Sequence, residues 1–376
     1  MYKIGFPRSF SEKIIEKLRG FRYNGIRKTL KQIRGAKMEK EINENDLAEC
    51  REAAEKCRAE VAKRVVGQAN VIEGILCAIV AGGHVLLEGV PGLAKTLAVR
   101  TFAEVSGLEF KRIQFTPDLL PADLTGTLIY EQHSGKFSVR KGSVFTNIVF
   151  ADEINRAGAK VQSALLEAMA EKQVTIGEDT YKLPEPFLVL ATQNPIEQEG
   201  TYNLPEAELD RFLMKIVVPY PSTKEEVEIV KTCGNAHSVP VQQVFSESLL
   251  KKCRVVLERI VCDEKIIEYI VSIVNVTRPS TDTQGLHVVG QKSFQGKSEI
   301  GRYINFGASP RAGIALLQCA KVRALFAGRS FVLPDDVKNV ACEVLRHRLV
   351  LSYEAAAEGV VADDIIKKIL ELTPLP

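Results

Sequence analysis

A glycine-rich stretch with a lysine and a threonine, GVPGLAKT, follows a short apolar run and precedes a helical pattern. Phosphate-binding loops have this form, because a strand-to-helix turn points backbone N–H groups at phosphate while the lysine contacts the β and γ phosphates. The hydroxyl of such a loop is a Mg2+ ligand. The stretch predicts a nucleotide phosphate site formed by Gly89, Val90, Pro91, Gly92, Leu93, Ala94, Lys95 and Thr96.

The usual pattern has glycine where this chain has Ala94. Gly89 and Gly92 provide the conformational freedom of the turn, and we expect the helix to have begun by Ala94. An alanine at negative φ carries no penalty in a helix. We therefore predict a working loop with Ala94 at negative φ. For the loop taken alone, an ordinary strand-to-helix connection is the alternative.

Two adjacent acids, Asp152 and Glu153, end the apolar strand pattern NIVFADE. At the carboxyl end of a strand beside a phosphate loop, an aspartate can position Mg2+ and a following glutamate can polarise an attacking water. Without Lys95 upstream, two solvated acids would be the better interpretation. With Lys95 present, we predict a hydrolytic site.

Three further polar residues follow in the right order. Asn194 ends the next strand pattern, where its amide can hold the water or the γ phosphate, although an Asx turn before Pro195 is the alternative. Arg211, in LPEAELDRF, and Arg311, in GASPRA, can stabilise the charge that develops during phosphoryl transfer. Taken singly, an arginine is usually an ordinary surface charge, so both assignments depend on the other motifs.

Strand and helix patterns alternate in the first part of the chain, which predicts a doubly wound parallel α/β sheet. Strand patterns occur at HVLLEGV, 110–116, 147–153, 187–193 and 212–219, and helical patterns at 43–63, 71–80 and 157–171. Two hairpin signals interrupt the alternation, at 128–139 with a turn at HSG and at 173–187 with a turn at GED.

Strand patterns stop after Pro221. Helical patterns then cover 223–232, 246–261, 263–276, 310–327 and 334–351, while 278–308 is rich in loop-forming residues. We predict three parts: a basic N-terminal extension at 1–40, an α/β core at 41–221 and a C-terminal all-helical domain at 222–376.

Charge is distributed unevenly. Residues 1–40 hold twelve Lys/Arg against three Asp/Glu, whereas the rest of the chain holds 38 against 44. Phe10, Ile14, Leu18 and Phe21 lie at helical spacing in this extension. Contact with an anionic membrane or an acidic partner is one interpretation, and a solvated, mostly disordered extension is the other.

Cysteine usage and hydropathy bear on the compartment. The eight cysteines show neither metal-ligand spacing nor a disulfide framework. Neither a secretory signal nor a run of apolar residues long enough for a membrane span occurs. We therefore expect a cytoplasmic protein with reduced thiols.

Five ordered motifs resemble those of the MoxR family of AAA+ ATPases over roughly residues 40–370: GVPGLAKT, QFTPDLLPADLTG, FADEINRA, ATQNPIEQEGTYNLPEAELDRF, and GASPRA with LRHR. The resemblance implies an AAA+ P-loop core and a helical lid. It assigns a Walker A loop to Gly89–Thr96, Walker B acids to Asp152 and Glu153, a first sensor to Asn194, an arginine finger to Arg211 and a second sensor to Arg311.

The resemblance also implies a mechanism. Lys95 and the loop bind ATP, Thr96 and Asp152 hold Mg2+, and Glu153 activates a water that Asn194 orients. Ring assembly, expected to be hexameric, brings Arg211 to the nucleotide of a neighbouring subunit. Arg311 couples the γ phosphate to the lid, and the resulting motion remodels, matures or inserts a cofactor into a client protein. MoxR-like ATPases commonly act beside proteins with von Willebrand factor A domains.

Two other functions stay open. A nucleic-acid motor is one, because the same clade contains helicases and the hairpin SGKFSVRKG is basic, although the net negative charge after residue 40 opposes it. An assembly module gated by ATP with little turnover is the other.

Three smaller hypotheses complete the sequence-based predictions. Val65–Gly67 resembles the adenine-contacting segment of related ATPases, and Gln114 could restrain Glu153 until a partner binds. Arg156 lies close to the site without an assigned role. The segment before Gly307 is longer than the family pattern, which affects the geometry around Arg311.

Overall fold

The protein is described from a computed structural model that covers residues 43–194, 200–232, 239–278 and 300–376. The predicted N-terminal extension lies outside the described residues, as do Pro195 and the greater part of the predicted loop 278–308. The described residues from Glu44 to Pro376 form one compact unit.

The strands of the described chain are β1 (Val85–Glu88), β2 (Phe110–Gln114), β3 (Gly126–Glu131), β4 (Lys136–Lys141), β5 (Ile148–Asp152), β6 (Gln173–Ile176), β7 (Asp179–Lys182), β8 (Leu188–Gln193), β9 (Met214–Val217), β10 (Ile304–Phe306) and β11 (Val350–Leu351). The helices are α1 (Glu44–Ala62), α2 (Ala69–Ala81), α3 (Lys95–Ser106), α4 (Pro121–Thr125), α5 (Ala159–Glu171), α6 (Glu206–Leu209), α7 (Thr223–Lys231), α8 (Glu247–Arg259), α9 (Glu264–Val276), α10 (Pro310–Phe326), α11 (Pro334–Leu345), α12 (Tyr353–Glu358) and α13 (Ala362–Leu372).

A five-stranded parallel sheet lies at the centre, in the order β2-β5-β8-β1-β9. The central strands β5 and β8 are buried except at their last residues, as their Val, Ile, Leu and Ala content requires of strands covered on both faces. This confirms the predicted parallel α/β core. The carboxyl ends of β1, β5 and β8 consequently meet at one edge, next to the start of α3.

The edge strands are shorter than their patterns predict. β2 ends at Gln114, although Phe115 N–H still donates to Asp152 O at 2.9 Å. β9 spans four residues, and Val218 N–H beyond it donates to Glu88 O at 2.7 Å. Single hydrogen bonds therefore continue the pairing beyond the regular strands.

Both predicted hairpins are present. β3 pairs with β4 so that Leu128 faces Val139, and β6 pairs with β7 so that Gln173 faces Lys182. The β3–β4 hairpin is exposed along most of its length.

The C-terminal region is helical, with one unexpected feature. Residues 346–351 were predicted to continue a helix, but α11 ends at Leu345, and Val350–Leu351 pairs with Ile304–Phe306 as a small antiparallel ribbon. Beyond the helix end, side chains contact β9 and the residues before it: Arg346 donates to Lys215 O at 3.0 Å, and His347 Nε2 lies 3.1 Å from Phe212 O.

The described helices contain no segment that is both long and apolar enough to span a bilayer. The division at residue 221 stays a prediction.

A buried histidine ties α5 to the sheet. His84 Nδ1 accepts the N–H of Val189 at 3.0 Å, so its Nε2 carries the proton and donates to Met169 O at 3.2 Å. Burial lowers the pKa of His84 to about 4. The neutral ring is therefore part of the folded core.

Acid should destabilise the protein through this residue. The unfolded chain takes up a proton on His84 below pH 6.5 while the folded chain resists it, so stability is complete above pH 6.5 and falls towards pH 4. The loss amounts to as much as about 3 kcal/mol. Chemical denaturation from pH 7 to 4 should show a shallower pH dependence in His84→Gln. The exposed His133 provides the control: an equal change in His133→Gln would contradict the assignment.

Candidate nucleotide site

The glycine-rich loop joins β1 to α3, as predicted. Gly92 has φ +86°, a conformation that favours glycine, and a Cβ added to Gly89 would lie 2.9 Å from Val218 O. Lys95 is the first residue of α3, and its Nζ donates to Gly89 O at 2.6 Å. The N–H groups of this first turn have no partner within the helix, and a turn of this kind is an anion site.

Ala94 departs from the prediction. It immediately precedes α3 with φ +53°, in the left-handed region, so the expected negative φ is wrong. The helix starts one residue later than expected, and the loop has to reverse direction at Ala94 before Lys95 can enter the helix. An alanine here costs roughly 1 kcal/mol that glycine would not, which is strain stored in the loop.

Asp152, the last residue of β5, and Glu153, which follows it, lie beside Thr192 of the neighbouring strand β8. The Thr192 hydroxyl donates to Asp152 Oδ1 at 2.8 Å and accepts the backbone N–H of Glu153 at 2.8 Å. Glu153 has φ +57°, so a second strained residue occurs at the same edge of the sheet. Thr192 thereby fixes how the chain turns from one acid to the next.

Residues of β2 occupy the other side of the acids. Arg112 donates from Nη2 and Nε to Asp152 Oδ2, at 2.7 and 3.1 Å, and also to Gln114 Oε1 at 3.0 Å. Gln114 Nε2 in turn donates to Glu153 Oε2 at 2.7 Å, and Arg156 Nε lies 3.2 Å from the same oxygen. Both carboxylates are thus held by cations or amides from adjacent elements.

These groups surround one cleft of about 560 Å³. Its lining comprises Pro91–Leu97, Arg100, Arg112, Gln114, Asp152, Glu153, Thr192 and Asn194. Partial burial lowers the pKa of Lys95, an effect that Asp152 and Glu153 oppose. Asn194 is buried at the end of β8, the strand next to β5, as predicted.

Arg211 and Arg311 are not among the residues that line this cleft. Arg211 is exposed, and its Nη1 donates to Leu166 O at 3.2 Å. Arg311, in the first turn of α10, lies 3.7 Å from Asp210 Oδ2 with its side chain 63% exposed. Arg311 therefore contacts the residue that precedes Arg211, whereas the Arg211 guanidinium itself contacts Leu166 of α5.

The proposed adenine segment is also outside the cleft lining. Gly67 packs against the carboxyl group of Glu225 from α7. Contact of Val65–Gly67 with adenine stays a prediction.

Sequence patterns missed three residues around these groups. Thr192 and Arg112 become recognisable only when β5 is known to lie between β2 and β8, since each is an ordinary strand residue in its own segment. Arg348, whose side chain contacts Asp210, belongs to the LRHR motif, but nothing in the spacing of that motif indicates its partner.

Substitutions at Ala94 test the loop geometry. Ala94→Gly should raise the free energy of unfolding by up to about 1 kcal/mol, because glycine adopts positive φ without strain, although part of the gain is lost to its greater freedom when unfolded. Ala94→Val should lower it by about 1–2 kcal/mol and weaken binding of a fluorescent nucleotide. Denaturant titration of both variants is the measurement; a more stable valine variant would contradict a left-handed Ala94.

Comparison with known proteins agrees with this geometry. Residues 84–214 match the model of the ATPase family associated with various cellular activities (AAA), and residues 297–369 match the AAA lid domain. Chaperone MoxR1 of Mycobacterium tuberculosis is 46% identical over 317 residues, which cover 84% of this chain and 81% of that protein. YeaC of Bacillus subtilis is 43% identical over 316 residues, which cover 83% and 91%.

A solved structure from Cytophaga hutchinsonii, described as a candidate ATPase, has a TM-score of 0.79 and 47% identity, and the match covers 89% of this chain and 98% of that one. The matched ranges include the P-loop, the paired acids and the C-terminal part of the helical region. The chain belongs to the MoxR family of AAA+ ATPases.

Proposed function

We propose that this protein binds ATP with Mg2+ and hydrolyses it in a homo-oligomeric ring, a hexamer, and that the resulting motion remodels a client protein. One observation carries the proposal: Lys95, Asp152, Glu153 and Asn194 contact a single cleft, while the exposed Arg211 is not part of its lining. The lining groups can bind and attack a phosphate, and in this proposal a further cation from outside the cleft stabilises the transferred charge.

The loop supplies the binding energy. The amides of Gly92–Lys95 and the start of α3 offer donors to phosphate oxygens, and the Lys95 ammonium exchanges its contact with Gly89 O for a β or γ phosphate. The left-handed Ala94 helps to turn these amides towards the cleft. The affinity therefore depends on backbone geometry as much as on side chains.

The donor set suits Mg2+. Thr96 and Asp152 present a hydroxyl and a carboxylate to the cleft, and oxygen ligands of this kind are those that Mg2+ prefers. When bound, Mg2+ would neutralise charge on the β and γ phosphates. Arg112 donates to Asp152 Oδ2, so a cation bound by this carboxylate would compete with the arginine.

Glu153 is placed to accept a proton from water. Its carboxylate is held by Gln114 and Arg156, which restrict its rotation. Asn194, at the end of the adjacent strand, offers an amide to orient the same water. The contact supports the role of Gln114 as a restraint on Glu153.

The further cation comes from a neighbouring copy. Arg211 is exposed and Arg311 contacts Asp210, the residue before Arg211, so in this proposal a second subunit that docks over this segment receives Arg211, and with it Arg311, at its γ phosphate. This changes the expected role of Arg311 from a contact within its own subunit to one made together with Arg211.

The proposed client is supported by the names of relatives, and the proposed compartment is supported by the chemistry of ATP supply and of reduced thiols. The name chaperone MoxR1 supports a protein client, and the family resemblance points to one with a von Willebrand factor A domain. Cofactor insertion into such a client is one form of maturation. The cytoplasm supplies ATP and keeps thiols reduced, in line with the seven described cysteines, none of which forms a disulfide.

A nucleic-acid motor is the second candidate, favoured by the β3–β4 hairpin. Tyr130 and Phe137 are exposed, with ring centroids 5.3 Å apart, and Lys136 lies next to them. Aromatic rings beside cations suit base stacking. A rise in ATP turnover with single-stranded DNA that disappears at higher salt would favour this candidate over a protein client.

Two substitutions should separate the catalytic groups. Magnesium-dependent ATP turnover, measured over a series of protein concentrations, should rise more than in proportion to protein because assembly completes the site. Glu153→Gln and Arg211→Ala should each reduce turnover by about 100-fold or more, while both variants still bind a fluorescent ATP analogue.

Mixing the two variants tests the neighbouring subunit directly. Equal amounts of Glu153→Gln and Arg211→Ala should recover turnover that neither has alone, because one supplies the arginine and the other the glutamate. Turnover proportional to protein concentration, with no recovery on mixing, would contradict a shared site.

The contact between Arg112 and Asp152 makes its own prediction. Arg112→Gln should lower the Mg2+ concentration for half-maximal nucleotide binding by a few-fold, about 2 to 10, because a competing cation is removed. Lys111→Gln, an exposed neighbour on the same strand, is the control. A higher Mg2+ requirement in Arg112→Gln would show that the arginine contacts phosphate instead.

A further inference from the structure

A buried arginine holds the segment that carries Arg211. Arg348 follows α11, and its side chain is 3% exposed. Its Nε donates to Asp210 Oδ1 at 2.7 Å, and Nη2 donates to Phe212 O at 2.6 Å and Asp210 O at 3.2 Å. Nη1 donates to Leu213 O at 3.1 Å and to Val344 O. One guanidinium therefore contacts the residues on both sides of Arg211.

The donor arrangement explains why the residue is arginine. Guanidinium has five N–H groups in a fixed plane, and here they meet one carboxylate and four carbonyl oxygens. Lysine has three donors at a single point and cannot reach all of these acceptors. The contacts define the backbone path from Asp210 to Leu213 rather than merely neutralising a charge.

The two residues before Arg348 in the LRHR motif make further contacts with β9 and with the residues that precede it. Arg346 donates to Lys215 O at 3.0 Å and pairs with Asp363 through two contacts of 2.9 Å. His347 Nε2 lies 3.1 Å from Phe212 O. Side chains of the helical region are thus hydrogen-bonded to the backbone of the Arg211 segment, residues 210–213, and of β9. A displacement of one part would therefore move the other.

Asp210 connects the same segment to α10. Its Oδ2 accepts the Ser309 hydroxyl at 2.9 Å and lies 3.7 Å from Arg311. The carboxylate is consequently bound by Arg348 from the interior and by the first turn of α10 from the other side. A movement of the lid would shift Asp210, and the backbone of Arg211 with it.

We propose that Arg348 is a positioning residue, which sets the place of Arg211 from the lid of its own subunit and so controls hydrolysis in the neighbouring one. The proposal rests on the proposed function, in which Arg211 acts between subunits. The lid then has a second role besides contacting the nucleotide of its own subunit. Through Arg348, the lid of one subunit determines when the next subunit can hydrolyse ATP.

The decisive experiment mixes full-length variants. Arg348→Lys keeps the charge and should bind a fluorescent ATP analogue with unchanged affinity, but its turnover should fall at least about tenfold, because its Arg211 is misplaced. Adding an equal amount of Glu153→Gln should restore turnover to about a quarter of the parent value, since half of the intact glutamates then have a neighbour with a well-placed arginine. A residue needed only for stability would show no such recovery.

One reference pair makes the outcomes distinct. The pair Arg211→Ala with Glu153→Gln reports whether the site is shared at all. If this pair recovers turnover and the Arg348→Lys pair does not, the role of Arg348 is overturned. If neither pair recovers turnover, the shared site itself is overturned.

A matched control and a second variant cover effects on folding. Arg329 makes a two-point contact with the buried Asp336 within the lid and does not contact the Arg211 segment among the described residues. Arg329→Lys should lower the unfolding temperature without the complementation pattern. Where Arg348→Lys fails to fold, Asp210→Asn takes its place. It keeps the shape but weakens the contacts of this carboxylate with Arg348, Ser309 and Arg311, and it should show the same recovery with Glu153→Gln.

Discussion

The parallel register of three strands is the constraint on which the site depends. β2 pairs with β5 so that Gln114 is opposite Asp152, and β8 pairs with β5 so that Thr192 follows directly beside Asp152. A shift of one residue would turn each of these side chains to the other face of the sheet. The acids, their restraining partners and the P-loop meet because the buried strands permit only this pairing.

Strain accumulates where that sheet ends. Ala94 and Glu153 both have positive φ, and both lie at the edge where the strands stop. Such conformations persist only where the surrounding structure holds them. Here the Thr192 hydroxyl binds the Glu153 N–H, while α3 follows Ala94 directly. The rigid sheet therefore maintains two unfavourable backbone turns that place a lysine, amides and a carboxylate around one cleft.

Local patterns in the sequence predicted the elements well and their mutual contacts poorly. The apolar strand runs, the two hairpins and the P-loop depend on neighbouring residues, so their periodicity and turn residues indicate them directly. The φ of Ala94 depends on how the loop closes between β1 and α3, and the residues after α11 contact carbonyl oxygens of a distant segment. Arg348 and Asp210 are 138 positions apart, and no local pattern relates them.

Arg346 and Arg348 of the LRHR motif also affect how the chain folds during its synthesis. β2 and β9 are the two edges of the sheet, and an unpaired edge invites a strand from another chain. Exposed Lys111 and Arg112 protect β2, whereas the outward carbonyl groups at Leu213 and Lys215 are covered by Arg348 and Arg346. These arginines are synthesised roughly 130 residues after β9, on the order of ten seconds later at typical elongation rates. Until then the nascent sheet has one uncovered edge, which is the kind of edge that can pair with a strand from another chain.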